Sequence, residues 1–441
     1  MSCKFIFILG SVILGLTATC NHKQNADLPT ETNKIEINAP VPASQISNLG
    51  LNKSQQDCVD SANDFAFKCL RALYEETGET NIVFSPLSLQ YALAMVLNGA
   101  SGETAREIMT SIGYSGDVQN LNSFMNLLIE QLPAIDTSVV LRVANAMLVN
   151  KSFKADSSFV SILNNNYYSP IEYVNVNKGE HVVERINEWA NRNTNGFINP
   201  FIEKSDIGDD FVASLLNALY FKAKWAGSDS FPMFRTEATL LSQPFFIRDG
   251  SAVSVDYLRT SRYLRYSEYN GYRVVDIPYA DGKFSMFVVL PNSHEDTALK
   301  RLLGTLSEVE WEHLITSLKE GPEVHLRLPK FDIENRFDLP DVLRQLGVIK
   351  AFVPGQAEFD KMFGKNDFWI GNVIQKARIK VTEWGTEAAA VTAVTMIGDY
   401  IPEDYKEVYF YADHPFAYII AERNTGLVLF EGVYTGLMNS L

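Results

Sequence analysis

The chain is poor in the residues that carry most catalytic and metal chemistry: its 441 positions hold four cysteines and six histidines. His22, His181, His294, His313, His325 and His414 are scattered, and no spacing among them matches a metal-ligating set or a helical His-Glu-x-x-His. No metal and no other cofactor is therefore expected. His325, on the polar side of an alternating run, and His414, just before Pro415, read as structural histidines. A Gly-x-Ser-x-Gly elbow is missing, and "NGASGET" and "EWGTEA" lack the lysine or the flanking strand and helix that phosphate loops need. A triad assembled from distant residues needs no local motif, so a secreted hydrolase stands as one alternative to a non-enzyme. Basic residues are also short, 38 Lys and Arg against 53 Asp and Glu, for a net charge of -15 with no basic cluster. That balance argues against nucleic acid or an anionic surface as partner.

Long apolar runs are missing too. The longest near the N-terminus, Phe5 to Leu16, follows Lys4 and is too short to span a bilayer. With Thr17-Ala18-Thr19-Cys20 behind it, residues 1–19 read as an export signal. A cysteine directly after small residues resembles a bacterial lipoprotein site, with cleavage before Cys20 and lipid on its sulfur. Thr19 is bulkier than the residue usual there, and plain secretion with Cys20 unmodified is the alternative. The expected destination is the outer membrane or cell surface, otherwise the periplasm or the medium. Residues 20–52 are polar, hold three prolines and show no period, as a tether does.

What is present supports a large core: 46% of the residues are hydrophobic. Cys58, Ala62, Phe65, Cys69 and Ala72 lie on one helical face, which sets the two sulfurs about 16 Å apart along the axis and beyond disulfide reach. Further helical patterns cover Pro86 to Met95, Gly102 to Ile112, and Val182, Ile186 and Trp189. Val324, Leu326 and Leu328 alternate with polar neighbours, as do Ala377, Ile379 and Val381, while Phe284–Pro291 and Leu427–Val433 are near-continuous apolar runs. Strands and helices do not alternate regularly, so one α+β domain over 53–441 is expected.

The stretch "VTEWGTEAAAVTAVTM", Val381 to Met396, fits neither core nor surface. At period two, Thr386, Ala388, Ala390, Thr392 and Val394 form a face that is small and uncharged. Composition alone suits a surface helix or linker, yet such side chains would also slip between two existing strands.

Glu383, then Gly385-Thr386-Glu387-Ala388-Ala389-Ala390, then Thr392-Ala393-Val394, resembles the reactive-loop hinge of the serpins, the suicide protease inhibitors. "NIVFSPLSLQYALAMVLNGASGETAREI", "LLNALYFKAKW", "LPKFDIENRFDL", "FYADHPFAYII" and "NTGLVLFEGVY" resemble further family segments in the family's order. The resemblance implies three β-sheets, a shell of about nine helices and an exposed reactive loop. It implies a monomer whose partner is a serine or cysteine protease held covalently. A non-inhibitory carrier or chaperone is the other role found on this fold. By resemblance Gly385 lets the hinge turn, Thr386 enters the sheet first, and Ser85, Ser88, Asn217 and Gln375 form a polar cluster under the opening, with Trp225 above it. Gln375 stands where the family usually has histidine, and Trp384 where it usually has a charge. The family's loop length puts the scissile bond at Asp399-Tyr400, with Tyr400-Ile401, one residue on, and cuts after Met396 or Ile397 as the alternatives.

Overall fold

The computed structural model describes residues 3–13, 48–78, 80–175, 179–207, 211–227, 231–320, 322–364, 368–386 and 407–437. Cys20, Glu387, Ala388, Ala389, Ala390, Thr392, Asp399 and Tyr400 lie outside them, as does the tether before residue 48.

The Cys58 face becomes the buried side of helix α1 (Lys53–Glu76). Asn52 starts this helix with a capping box, its side chain accepting from the Gln55 N–H while Gln55 caps the Asn52 N–H in return. Both thiols are free and buried, and burial, with the Asp57 and Asp60 charges nearby, pushes the Cys58 thiol up to about 11. Helix α2 (Pro86–Leu97) is buried on every side, as its nearly all-apolar sequence requires. Pro86 occupies the first turn, where a missing N–H costs nothing, and Ser85 caps it. The remaining described helices are α3 (Gly102–Ser111), α4 (Val118–Gln131), α5 (Ser157–Tyr167), α6 (Gly179–Asn193), α7 (Ala298–Thr305), α8 (Glu308–Ser317), α9 (Pro340–Gln345) and α10 (Asp360–Phe363).

Among the described residues, three sheets carry the strands. The largest runs β12 (Phe331–Asp338), β13 (Phe368–Val381), β1 (Cys3–Ile13), β5 (Phe211–Lys224), β3 (Val140–Asn150), β4 (Ile171–Val174), with β14 (Gly385–Thr386) also on β5. A six-stranded sheet runs β2 (Ile82–Phe84), β17 (Val428–Tyr434), β16 (Phe416–Glu422), β10 (Phe284–Pro291), β9 (Tyr272–Pro278), β8 (Arg265–Tyr269). The third has four strands, β15 (Glu407–Tyr411), β11 (Glu323–Pro329), β7 (Ala252–Tyr263) and β6 (Leu240–Phe246).

Period two explains why β5 carries apolar residues on both faces. Leu215, Leu219 and Phe221 join the main core with α2, whereas Leu216, Ala218 and Tyr220 join a second core with Val182, Ile186 and Trp189 of α6. A strand covered on both faces has no water-facing side to make polar. The outer side of β13 is polar instead, with Lys376 2.8 Å from Glu334 and Arg378 2.8 Å from Asp332 on β12.

β1 was not expected as part of this sheet. The run read as an export signal supplies a strand parallel to both neighbours, paired from Cys3↔Phe368 to Val12↔Arg378 on one side and from Lys4↔Phe211 to Ile13↔Phe221 on the other, with a register shift before Ile6 on each side. An apolar run of this length satisfies the requirement for a strand buried between two others as well as that for a leader.

Candidate functional site

Leu9 of β1 is the partner of Gln375 on one side and of Asn217 on the other. These two residues therefore face each other across one strand width, at the centre of the sheet. Both are fully buried, as are Ser85 and Ser88 beneath them at the start of α2. The Gln375 amide clamps the Ser85 backbone, accepting from its N–H at 3.0 Å and donating to its carbonyl at 3.0 Å. Ser85 Oγ donates to the Leu429 carbonyl at 2.8 Å. Ser88 Oγ donates to Asn217 Oδ1, and Asn217 Nδ2 donates to Asn145 Oδ1 at 2.6 Å. Asn145 Nδ2 ends the chain on the Tyr167 carbonyl, 2.9 Å away. Hydrogen bonds thus tie α2 to β13, β17, β5 and β3 through groups that cannot be left unpaired at this depth.

Because Gln375 is uncharged across the whole working pH range, the clamp does not titrate. Gln375→Ala leaves the buried Ser85 N–H without a partner, at about 1–3 kcal/mol, and its carbonyl with only the 3.3 Å bond from the Leu89 N–H. Thermal unfolding of that variant should fall well below the parent, while Gln375→His should keep most of the stability and acquire a pH dependence between about 5 and 7.5.

The second group of expected residues gathers at the far end of β5, about 26 Å from Asn217 at ~3.3 Å per residue. Trp225 stacks on Tyr279 with ring centres 4.6 Å apart and planes within 9°. Its Nε1 donates to the Thr382 carbonyl at 2.8 Å, which fixes the turn where the hinge begins. Thr382 and Gly385 close that turn with paired backbone bonds of 3.2 and 3.3 Å. Gly385 has φ +125°, and a Cβ there would sit 2.3 Å from the Ala223 carbonyl, so no other residue fits this close approach. Thr386 is fully buried, and its hydroxyl shares a 2.6 Å hydrogen bond with the Tyr279 hydroxyl. Burial pushes the Tyr279 phenol well above its ordinary value, so it stays neutral beside Thr386. Trp384 points outward and is 61% exposed.

Glu383 anchors the hinge from outside. It accepts from Lys330 Nζ at 2.8 Å and from Thr239 Oγ1 at 2.8 Å. Partial burial alone would raise its pKa, but the Lys330 ion pair, the Thr239 hydroxyl and a backbone N–H outweigh that and hold it below the usual carboxylate range. A depressed folded value contributes stability above the unfolded value, ~4.3, that is lost as pH falls through the folded one. The hinge should therefore loosen below about pH 4. Tryptophan fluorescence should report this in the parent, with no such transition in Glu383→Gln.

All the described expected residues fall into these two groups. Sequence reasoning missed Tyr279, Lys330, Thr239 and Asn145; only Asn145, a lone amide inside the apolar run of β3, carried a visible signal.

Comparison with known proteins agrees with this fold. A family model described as "Serpin (serine protease inhibitor)" matches residues 60–436. The leukocyte elastase inhibitor of Xenopus tropicalis is 32% identical over 380 residues, covering 84% of this chain and 97% of that protein. Mouse neuroserpin is 30% identical over 371 residues, covering 81% of this chain and 86% of its own. Among solved structures, the thermophilic serpin tengpin in its native state superposes with a TM-score of 0.75 at 27% identity, over 90% of this chain and 98% of its own. Human thyroxine-binding globulin shares the fold with a TM-score of 0.75 at 24% identity, over 86% of this chain and 98% of its own. The chain belongs to the serpin family.

Proposed function

We propose that the protein is a protease inhibitor acting as a suicide substrate, with no catalytic turnover of its own. One observation carries this reading: Gly385 and Thr386 already pair antiparallel with Lys224 and Ala223 at the end of β5. They are the first rung of a strand. Continued in the same register, Ala388 meets Phe221, Ala390 meets Leu219, and Thr392 meets Asn217 over the polar cluster. Small, uncharged residues at those positions offer little resistance to burial between β5 and β13.

The chemistry proposed is that of a bait loop. A serine or cysteine protease attacks a peptide bond in the loop, Asp399-Tyr400 in this assignment, and forms an acyl-enzyme. Cleavage releases the hinge, which then inserts over about fifteen residues at ~3.3 Å each, dragging the protease roughly 50 Å. New strand hydrogen bonds at ~0.5–1.5 kcal/mol net each supply on the order of 10 kcal/mol. Strain held in the uncleaved form becomes deformation of the attached enzyme.

β1 occupies the path of insertion. It ends with Ile13 opposite Phe221, two residues short of Ala223, on the same edge of β5. Hinge and β1 therefore compete for one edge. In this reading export removes residues 1–19, Cys20 receives the lipid, and the protein works as a monomer at the outer membrane or cell surface. The precursor is then inert and the mature chain armed.

Incubation with chymotrypsin-like, elastase-like, trypsin-like, papain-like and Asp-directed proteases tests the assignment on denaturing gels with intact-mass analysis. The expected product is a denaturant-stable complex with a released C-terminal peptide beginning at Tyr400. If every protease clips the loop and departs active, inhibition falls and the carrier reading takes its place.

A further inference from the structure

We propose that Glu323, His325 and Glu407 form a zinc site that fastens β15 to β11. One ligand atom from each of the three lies within 4.8 Å of the others. The strand pattern builds the group: Glu323 and His325 are two apart on β11 and so share a face. In the parallel register Glu323 lies opposite Glu407, and His325 opposite Tyr409. Sequence spacing could not show this, because the third ligand arrives from a strand on the far side of the loop.

Three features of His325 point to a cation. Its Nδ1 is 2.8 Å from Ser261 Oγ on β7, so the tautomer that donates to Ser261 turns the Nε2 lone pair toward the glutamates. Ligating histidines are commonly oriented through their other nitrogen in this way. Nε2 is shielded from solvent and has no hydrogen-bond partner among the described residues. It stands 3.5 Å from Glu407 Oε2, too long for a good hydrogen bond. Two ligands at ~2.1 Å from a tetrahedral zinc are separated by about 3.4 Å, which is close to that spacing. The Tyr409 ring stacks on the imidazole at 4.7 Å and holds its plane.

Two carboxylates placed directly opposite on neighbouring strands repel each other, and a divalent ion reverses the sign of that contact. Imidazole with carboxylates suits zinc better than calcium or magnesium, which prefer oxygen throughout. Three protein ligands leave a fourth position for water. The rival cluster of His294, Asp413 and His414 fits less well. Its rings stack at 3.9 Å, so their lone pairs run side by side, and both nitrogens of His414 are engaged, with Asp413 and the Pro291 carbonyl at 2.8 Å each.

β15 is the edge strand onto which the chain emerges from the bait loop, so zinc here would secure the loop's C-terminal root. The binding itself does not depend on the inhibitor reading. Zinc chloride titrated calorimetrically into the metal-stripped full chain at pH 7.5 should show one saturable equivalent in the micromolar range or tighter. His325→Ala and Glu407→Gln should each weaken it at least tenfold, and Ser261→Ala by roughly tenfold through the lost orientation of the ring. Amide exchange across β15 should slow with zinc in the parent and not in His325→Ala. Absence of saturable binding, or equal affinity in His325→Ala, would overturn the assignment, the latter by placing the ion elsewhere.

Discussion

Thr386→Arg is expected to turn the proposed inhibitor into a substrate. The threonine side chain is already inside, bonded to Tyr279 at 2.6 Å, and its replacement must bury an unpaired guanidinium or keep the hinge out of the sheet. Burying such a charge costs several kcal/mol, and each 1.4 kcal/mol is a factor of ten in the competition between insertion and release of the cleaved loop. The yield of denaturant-stable complex should therefore fall at least a hundredfold, while the rate of loop cleavage changes little. Thr386→Ser keeps the hydroxyl and should keep most of the yield. Trp384→Lys, at the exposed neighbour, should leave the yield unchanged. Unaltered trapping by Thr386→Arg would remove the hinge from the mechanism.

Glu431→Gln stabilises the fold at neutral pH. Glu431 lies on β17, paired with Phe84 of β2 and Ile419 of β16, and neither carboxyl oxygen has a hydrogen-bond partner among the described residues. Burial pushes this carboxyl well above its ordinary range. Between the unfolded value, ~4.3, and the raised folded one, the native state holds a proton that the unfolded chain has released. Stability is then fully present below the unfolded value and falls with rising pH, by ~1.4 kcal/mol per unit, until the folded value is passed. Glutamine has the same shape without the charge and removes that slope. Thermal unfolding followed from pH 4.5 to 9 should show parent and variant together at the acid end. They should separate as pH rises, with the variant higher by about 3 °C or more at pH 8. A variant that tracks the parent at every pH would mean that Glu431 ionises in place.

The same residues show what a sequence can and cannot disclose. The α1 face, the doubly buried β10 and β17, and the alternation of β13 were legible because periodicity reports burial directly. The polar cluster was legible only through resemblance, since nothing in the isolated sequence says that Ser85 and Gln375, 290 positions apart, share two hydrogen bonds. Glu431 was invisible because one acidic residue in "LVLFEGV" does not break an apolar pattern. The Lys330–Glu383 pair, the Tyr279 contact and the Glu323–His325–Glu407 group arise from tertiary approach, and local spacing carries no trace of them. β1 illustrates the converse difficulty, since the same apolar run meets the demands of a leader and of a central strand.

In the proposed mechanism, insertion of the hinge strand over the polar cluster is the step on which trapping depends, and the stability of the cleaved protein reports it directly. A chain beginning at Cys20 should be cut once in the loop by a non-target protease and its unfolding compared with the intact form, with the full-length chain treated alike. Insertion predicts a rise in Tm of more than about 15 °C for the shortened chain, from on the order of 10 kcal/mol of new strand pairing. A much smaller rise is expected for the full-length chain, where β1 holds the edge. A cleaved, shortened chain that melts at the same temperature as its intact form would contradict insertion, and the suicide mechanism with it.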